Sequence, residues 1–229
     1  MNSKIHYITV ATKPHRVLEA IKQKAESLGE SITVLGEHEN RLIGWEGTGN
    51  FGVKLREVAN FLKRPELEPD DIVLFTDAYD VVYCGERNEL LRRYLTFSKP
   101  IVFGAEKCCQ PDEHLKSNYP QLDTEFPYLN SGMFIGRVWA LQKCMENYEY
   151  IDAVEDQRFW TDKFLYKNAD LIELDYENLM FLNTVSIDTE WLLYEKCGAF
   201  TIVMYRTANP MFVHVNGPDK RMIEKFLEL

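Results

Sequence analysis

One stretch constrains the fold more than any other: Ile72-Val73-Leu74-Phe75-Thr76, closed by Asp77. An apolar run without polar residues at alternate positions has no solvent face to offer. It has the pattern of a strand covered on both sides, as in a parallel sheet with helices on each face. The neighbouring segments provide that cover. Residues 5–12 read as a first strand, and after Pro14 an amphipathic helix carries Val17, Leu18, Ile21 and Ala25 and closes at Gly29. Residues 31–36 form a second strand. A loop over 37–50, too long for a simple connector, leads into a helix over 51–63 that stops before Pro65. Residues 86–95 follow as a helix and 100–104 as a strand, which extends the strand–helix alternation of a doubly wound α/β sheet.

Beyond Gly104 the alternation weakens. Residues 108–127 are irregular and polar, and 128–136 are apolar around Asn130-Ser131-Gly132, which reads as a turn. Helix patterns over 138–148 and 156–166 precede short strands that include 171–174, 199–205 and 211–215, and a last helix covers 218–229. With no repeat and no Gly/Ser linker, residues 1–229 are expected to form a single domain.

Charge removes several partners. Thirty-six acidic residues against 26 basic ones give a formal charge of -10, and no basic run is present, so nucleic acid is not an expected partner. No apolar segment spans a bilayer, and residues 1–7 enter a strand pattern without the apolar stretch of a signal peptide; the expected location is therefore cytoplasmic, without membrane attachment. The 5 cysteines include no Cys-x-x-Cys pair, which fits reduced thiols better than a disulfide framework or a zinc site.

Five constellations carry the chemistry. Asp77-Ala78-Tyr79-Asp80 follows the buried strand, where open α/β sheets place their ligands, and its two carboxylates suit Mg²⁺ or Mn²⁺. The alternative is a solvated turn with Asp80 capping a helix. Tyr79 between them is either a stacking platform for a nucleobase or a packed turn residue. Gly47-Thr48-Gly49-Asn50-Phe51-Gly52 spells the dinucleotide fingerprint, which keeps a nicotinamide-dependent oxidoreductase open, but it ends a long loop after the second strand and not after the first. The same glycines, with Lys54 in the first helical turn, suit a phosphate. His214 in an apolar strand reads as a core histidine before it reads as a ligand, while Asn216-Gly217-Pro218 and Lys220 after it suit a diphosphate. Asn130-Ser131-Gly132 is a hydrogen-bonded or a sugar-contacting turn. Glu155-Asp156-Gln157 opens a helix, where acids favour the dipole, or turns a carboxylate toward sugar hydroxyls or the reacting centre.

In this order, Ile8-Thr9-Val10-Ala11-Thr12, Asp77-Ala78-Tyr79-Asp80-Val81, Phe103-Gly104-Ala105-Glu106, the segment from Leu129 to Gly136, Asp156-Gln157 and His214-Val215-Asn216-Gly217-Pro218 resemble the glycosyltransferase domain of the procollagen lysyl hydroxylases. The resemblance implies a GT-A fold with a Rossmann-like mixed, mostly parallel sheet flanked by helices. It implies a UDP-sugar donor with Mn²⁺, Mg²⁺ being a substitute, and transfer of glucose from UDP-glucose to galactosyl-hydroxylysine in a collagen-like acceptor. The alternatives are transfer of galactose from UDP-galactose to hydroxylysine, or a silent nucleotide-sugar-binding module. The implied metal ligands are Asp77, Asp80 and His214. The implied nucleotide and diphosphate contacts are Thr9, Val10, Ala11, Thr12, Lys54, Tyr79, Asn216, Gly217 and Lys220, and Trp45 of the long loop is counted with them. Asp156, Glu155 and Asn130 are the candidate catalytic residues, with retention favoured for glucosyl transfer. This chain departs from the family at Asp152-Ala153-Val154-Glu155-Asp156, where relatives carry a run of aspartates, and at Gln110, where they carry an aromatic residue. The chain is either a free-standing homologue, viral or microbial, or a piece cut from a longer protein; the free-standing form is expected in the cytoplasm, which for a virus means the host-cell cytoplasm or the virion.

Overall fold

A computed structural model describes residues 3–44, 49–197 and 200–227. The first half follows the expected alternation. Strand β1 (Ile5–Val10) leads to helix α1 (Arg16–Ser27), β2 (Ile32–Leu35), α2 (Gly52–Phe61) and β3 (Ile72–Asp77). Helix α1 buries Val17, Leu18, Ile21 and Ala25, the i, i+4, i+8 stripe that the sequence displays. β1 pairs in parallel with β2 and β3, and β3 is buried from Ile72 through Thr76.

After Asp77 the chain leaves this sheet. Asp80 caps no helix; it leads into β4 (Val81–Tyr83), which belongs to a second sheet, and only then into α3 (Arg87–Tyr94) and β5 (Ile101–Glu106). The expected turn at Asn130-Ser131-Gly132 lies inside one long strand, β6 (Tyr128–Arg137), antiparallel to both β3 and β5. The polar triplet is a bulge in it. Phe103 of β5 pairs with Phe134, but the next residue, Gly104, pairs with Asn130, so Ser131, Gly132 and Met133 leave the β5 ladder and the strand bends there.

Helices α4 (Val138–Cys144) and α5 (Asp156–Asp162) are shorter than the pattern indicated, and α5 continues as a π-helical turn over Lys163–Lys167. β7 (Ile172–Asp175) completes the large sheet, whose order is β2-β1-β3-β6-β5-β7. β8 (Phe181–Asn183), β9 (Leu192–Cys197), β10 (Phe200–Tyr205), β11 (Phe212–His214) and α6 (Arg221–Leu227) follow. β9 and β10 form a hairpin, and β4, β11 and β8 form the small sheet in the order β4-β11-β8.

The core lies between the large sheet and its helices. Phe134 stacks on Phe75 at 4.9 Å, and Phe103 packs against Phe134 and Trp160 at 4.9 and 5.0 Å. The antiparallel β6 is thereby bonded into the centre of a mixed sheet. Among the described residues, no helix is long and apolar enough to cross a membrane.

Candidate active site and metal centre

The site forms where the chain passes from the large sheet to the small one. β3 delivers Asp77 at its carboxyl end, and the connection to β4 delivers Tyr79 and Asp80. β11 runs antiparallel to β4 with His214 opposite Val81, and the Val215 N–H donates to the Asp80 carbonyl at 2.8 Å. Strand register therefore sets the imidazole beside two carboxylates far away in the chain. His214 Nε2 lies 3.3 Å from Asp80 Oδ1 and 3.8 Å from Asp77 Oδ2, and the ligand atoms of the three residues all lie within 4.8 Å of one another. They open onto a cavity of about 560 Å³.

Two lysines neutralise the carboxylates. Lys54 Nζ, held by the first turn of α2, is 2.7 Å from Asp77 Oδ1 and 3.5 Å from Asp156 Oδ2. Lys220 Nζ donates to Asp80 Oδ2 and to the Val215 carbonyl, both at 2.6 Å. Burial raises the Asp77 carboxyl above its usual range, against the pull of Lys54 and His214. Burial opposes ionisation at Asp80 too, but there His214 and Lys220 prevail and hold the carboxyl well below the usual range. His214 is itself buried, which works against a charge, yet the Asp80 and Asp77 carboxylates outweigh that and the ring holds its proton more tightly than a free imidazole.

The donor set fits a divalent cation. Two carboxylates suit hard ions such as Mg²⁺ and Mn²⁺, and the imidazole adds a ligand that first-row transition ions accept.

Other expected residues divide by placement. Tyr79 lines the cavity with its hydroxyl anchored: it accepts from the Thr12 and Lys13 N–H groups at 2.8 and 3.0 Å, and its ring lies 5.0 Å from that of His15. Of the first-strand residues only Val10 reaches the cavity wall. Thr9 donates its hydroxyl to the Thr76 carbonyl at 2.7 Å, and Ala11 packs with Leu18 and Ala78. Thr12 is buried behind Tyr79, and its hydroxyl makes no hydrogen bond among the described residues. Trp45, with Gly47 and Thr48 of the glycine string, lies outside the described residues. Gly52 has a packing reason of its own: a Cβ there would lie 2.1 Å from the Ile151 carbonyl oxygen.

Asn216 and Gly217 also line the cavity, but both ends of the Asn216 amide are engaged. It donates to Glu106 Oε2 and accepts from the Val185 N–H, each at 2.9 Å. Asp156 Oδ2 accepts from the Ser131 hydroxyl at 3.0 Å. Glu155 is different. Its Oε2 is buried and makes no hydrogen bond among the described residues, Arg158 Nε stands 3.6 Å away, and burial, reinforced by Asp156, pushes its carboxyl up to about 7. Asn130 turns its Oδ1 toward His214 Nδ1 at 3.2 Å.

Three residues that build this wall carry no role in the sequence pattern. Gln157 accepts from the Ser131 N–H at 2.8 Å and donates to Glu106 Oε1 at 2.8 Å, tying α5 to the β6 bulge and to the end of β5. Glu106 is buried beneath it with a carboxyl raised by that burial. Asn183, at the end of β8, faces His214 Nδ1 at 2.8 Å. Glu106 and Gln157 stand within the family-like segments; Asn183 stands in a strand that the periodicity does not single out.

The family model described as the PLOD GT domain matches residues 1–228. The chain belongs to that family. It is a glycosyltransferase domain of the lysyl hydroxylase family, and the nicotinamide reading of the glycine string falls with that membership. Procollagen-lysine,2-oxoglutarate 5-dioxygenase 1 of Bos taurus is 32% identical over 221 residues, covering 93% of this chain and 30% of the relative. The multifunctional procollagen lysine hydroxylase and glycosyltransferase LH3 of Homo sapiens is 30% identical over 227 residues, covering 95% of this chain and 30% of the relative. The chain thus spans about 30% of the length of the curated relatives it matches. Among solved structures, the galactosyltransferase LgtC, in complex with donor and acceptor sugar analogs, aligns with a TM-score of 0.54 at 16% identity over 98% of this chain and 94% of its own. That likeness is one of fold, and the fold is GT-A.

Proposed function

We propose that this domain transfers glucose from UDP-glucose to galactosyl-hydroxylysine in a collagen-like protein, with Mn²⁺, or Mg²⁺ in its place, held by Asp77, Asp80 and His214. The observation that carries the reading is this Asp/Asp/His set at the carboxyl edge of the sheet, in a chain of a glycosyltransferase family. The cation, when bound, neutralises the diphosphate and stabilises the charge that develops on UDP as the sugar–phosphate bond breaks. Lys54 and Lys220, paired with Asp77 and Asp80, would add positive charge to that of the cation. The anchored ring of Tyr79 offers a face to the uracil.

The Glu155–Asp156 edge of α5 forms the sugar side. Asp156 is engaged by Ser131 and Lys54, whereas Glu155 lines the cavity with an oxygen that no described residue hydrogen-bonds and a carboxyl raised to about 7. Glu155 is therefore the group suited to take the acceptor's proton in an inverting course. In a retaining course, which the likeness to glucosyl transfer favours, it orients the acceptor instead.

A donor screen tests the proposal. UDP release from UDP-glucose should require Mn²⁺ or Mg²⁺ and rise on addition of a galactosyl-hydroxylysine peptide. Turnover of UDP-galactose onto a hydroxylysine peptide would replace the glucosyl reading with the galactosyl one. UDP-sugar binding without turnover of any donor would make the domain a silent binding module.

A further inference from the structure

Asn183 is fully buried at the end of β8. β8 runs parallel to β11 with Asn183 opposite His214. Its Oδ1 lies 2.8 Å from His214 Nδ1, and its Nδ2 donates to the Ala105 carbonyl at 3.0 Å. A carbonyl oxygen only accepts, so Ala105 fixes which end of the amide faces it and leaves the oxygen toward the ring. Asn130 repeats the arrangement from the β6 bulge. Its Oδ1 accepts the Gly132 N–H at 2.9 Å and lies 3.2 Å from the same ring nitrogen.

Two oriented acceptors on one side require a hydrogen on Nδ1. Nε2 is then the nitrogen that faces the carboxylates: without a cation it donates to Asp80 at 3.3 Å, and a cation between them takes the place of that proton while Nδ1–H stays with the two amides. The packing admits this arrangement at one point in β5. A Cβ at Gly104 would lie 2.9 Å from Asn183 Nδ2 and 3.3 Å from Phe181 Cβ, so the glycine of Phe103-Gly104-Ala105-Glu106 is the opening through which the amide reaches Ala105.

We propose that Asn183 is a positioning residue of the transfer site, holding His214 in the Nδ1–H tautomer with Nε2 turned toward the cation, and that Gly104 makes room for its amide. The inference rests on the metal reading above and extends it to a residue that touches neither cation nor donor. Partners of this kind commonly change metal affinity by about 10- to 100-fold when removed.

The test has two arms. ¹⁵N NMR of the histidine-labelled protein saturated with diamagnetic Mg²⁺ should show the His214 hydrogen on Nδ1 and none on Nε2. A wild-type ring protonated on Nε2 overturns the proposal whatever the variants do. In the second arm Mn²⁺ affinity is measured by electron paramagnetic resonance titration. Asn183→Leu, which keeps the bulk and removes the acceptor, should weaken Mn²⁺ by about tenfold or more and bring the Nε2–H tautomer into the spectrum. Asn183→Asp, which keeps an oxygen facing Nδ1, should stay within a few-fold of wild type, and Gly104→Ala should shift affinity in the same direction as Asn183→Leu. A folded Asn183→Leu or Gly104→Ala protein with wild-type Mn²⁺ affinity overturns the proposal; if neither folds by circular dichroism, the wild-type tautomer decides. A wild-type protein that binds no Mn²⁺ removes the metal reading, whereas wild-type affinity retained in the folded variants removes only the role of Asn183.

Discussion

Asp80 bears on two cations at once, His214 Nε2 at 3.3 Å and Lys220 Nζ at 2.6 Å, and its place at the cavity rim separates its chemistry from the core. Asp80→Asn should leave far-UV circular dichroism unchanged and weaken Mn²⁺-dependent UDP binding by at least about tenfold, since it removes a charged ligand. Wild-type Mn²⁺ and UDP affinities by calorimetry would refute its assignment. Tyr79 contributes through a different surface. If its ring stacks on uracil, Tyr79→Ala should cost UDP about 1–3 kcal/mol, the range for base–aromatic stacking, while Mn²⁺ binding in the absence of nucleotide changes far less. Glu155 yields a stability prediction. Its folded-state carboxyl is raised to about 7 from an unfolded value near ~4.3, so the native state binds the proton more tightly than the unfolded chain. The penalty for ionising it is absent below the unfolded value and grows as pH rises through the window to about 7. Glu155→Gln should therefore raise the melting temperature at pH 8, with a gain that shrinks toward pH 5. An equal effect at both pH values would rule out a buried, raised carboxyl.

At the scale of elements, the start of α2 is pressed against the segment that leads into α5. The Gly52 N–H donates to the Asp152 carbonyl at 3.1 Å, and a Cβ at Gly52 would overlap the neighbouring Ile151 carbonyl. Asp152 faces away from the cavity to a bidentate pair with Arg41 at 2.8 and 2.6 Å. Gly52→Ala must push α2 and this segment apart, and overpacking of this kind costs about 1–3 kcal/mol. Because Lys54 rides on the first turn of α2, the variant should lose transfer activity as well as thermal stability. A variant as stable and active as wild type would show that the close approach matters little. The β6 bulge lines the cavity as well. Gln157 bonds to it at Ser131, so α5 and the strand carrying Asn130 are tied together beside the cavity.

Across the whole molecule, the metal set joins two sheets. Asp77 ends a strand of the large sheet, while His214 ends a strand of the small one, so on the proposed reading a cation and a diphosphate held between them would act as a clamp across the seam. Ligands that bind only the folded state stabilise it by mass action, about 2.7 kcal/mol at a hundredfold excess over Kd. UDP with Mn²⁺ should raise the melting temperature by several degrees, and a chelator should return it to the ligand-free value. NAD⁺ should have no effect. A UDP shift that survives chelation would detach nucleotide binding from the Asp/Asp/His set.

What the sequence determined by itself was whatever is encoded by near neighbours. The apolar run at Ile72–Phe75, the stripe Val17, Leu18, Ile21, Ala25 and the stop before Pro65 express local periodicity and turn chemistry, and these were enough for the doubly wound first half. Asp77-x-x-Asp80 was legible for the same reason, because both carboxylates lie on one short connection. The lone His214 read as a core histidine on local grounds and became a ligand candidate only through the ordered likeness to a family. Tertiary structure decided the rest. Strand direction and register belong to no single segment, so the antiparallel entry of β6, the bulge at Asn130-Ser131-Gly132 and the pairing of His214 with Val81 and Asn183 are absent from any local pattern. Short buried strands such as Phe181–Asn183 carry too few residues to display a period. Asn183 and Glu106 are ordinary polar residues until folding removes water from them, and then each buried donor and acceptor must find a partner. That requirement is met by residues far apart in the chain, and it aims the imidazole at the carboxylates.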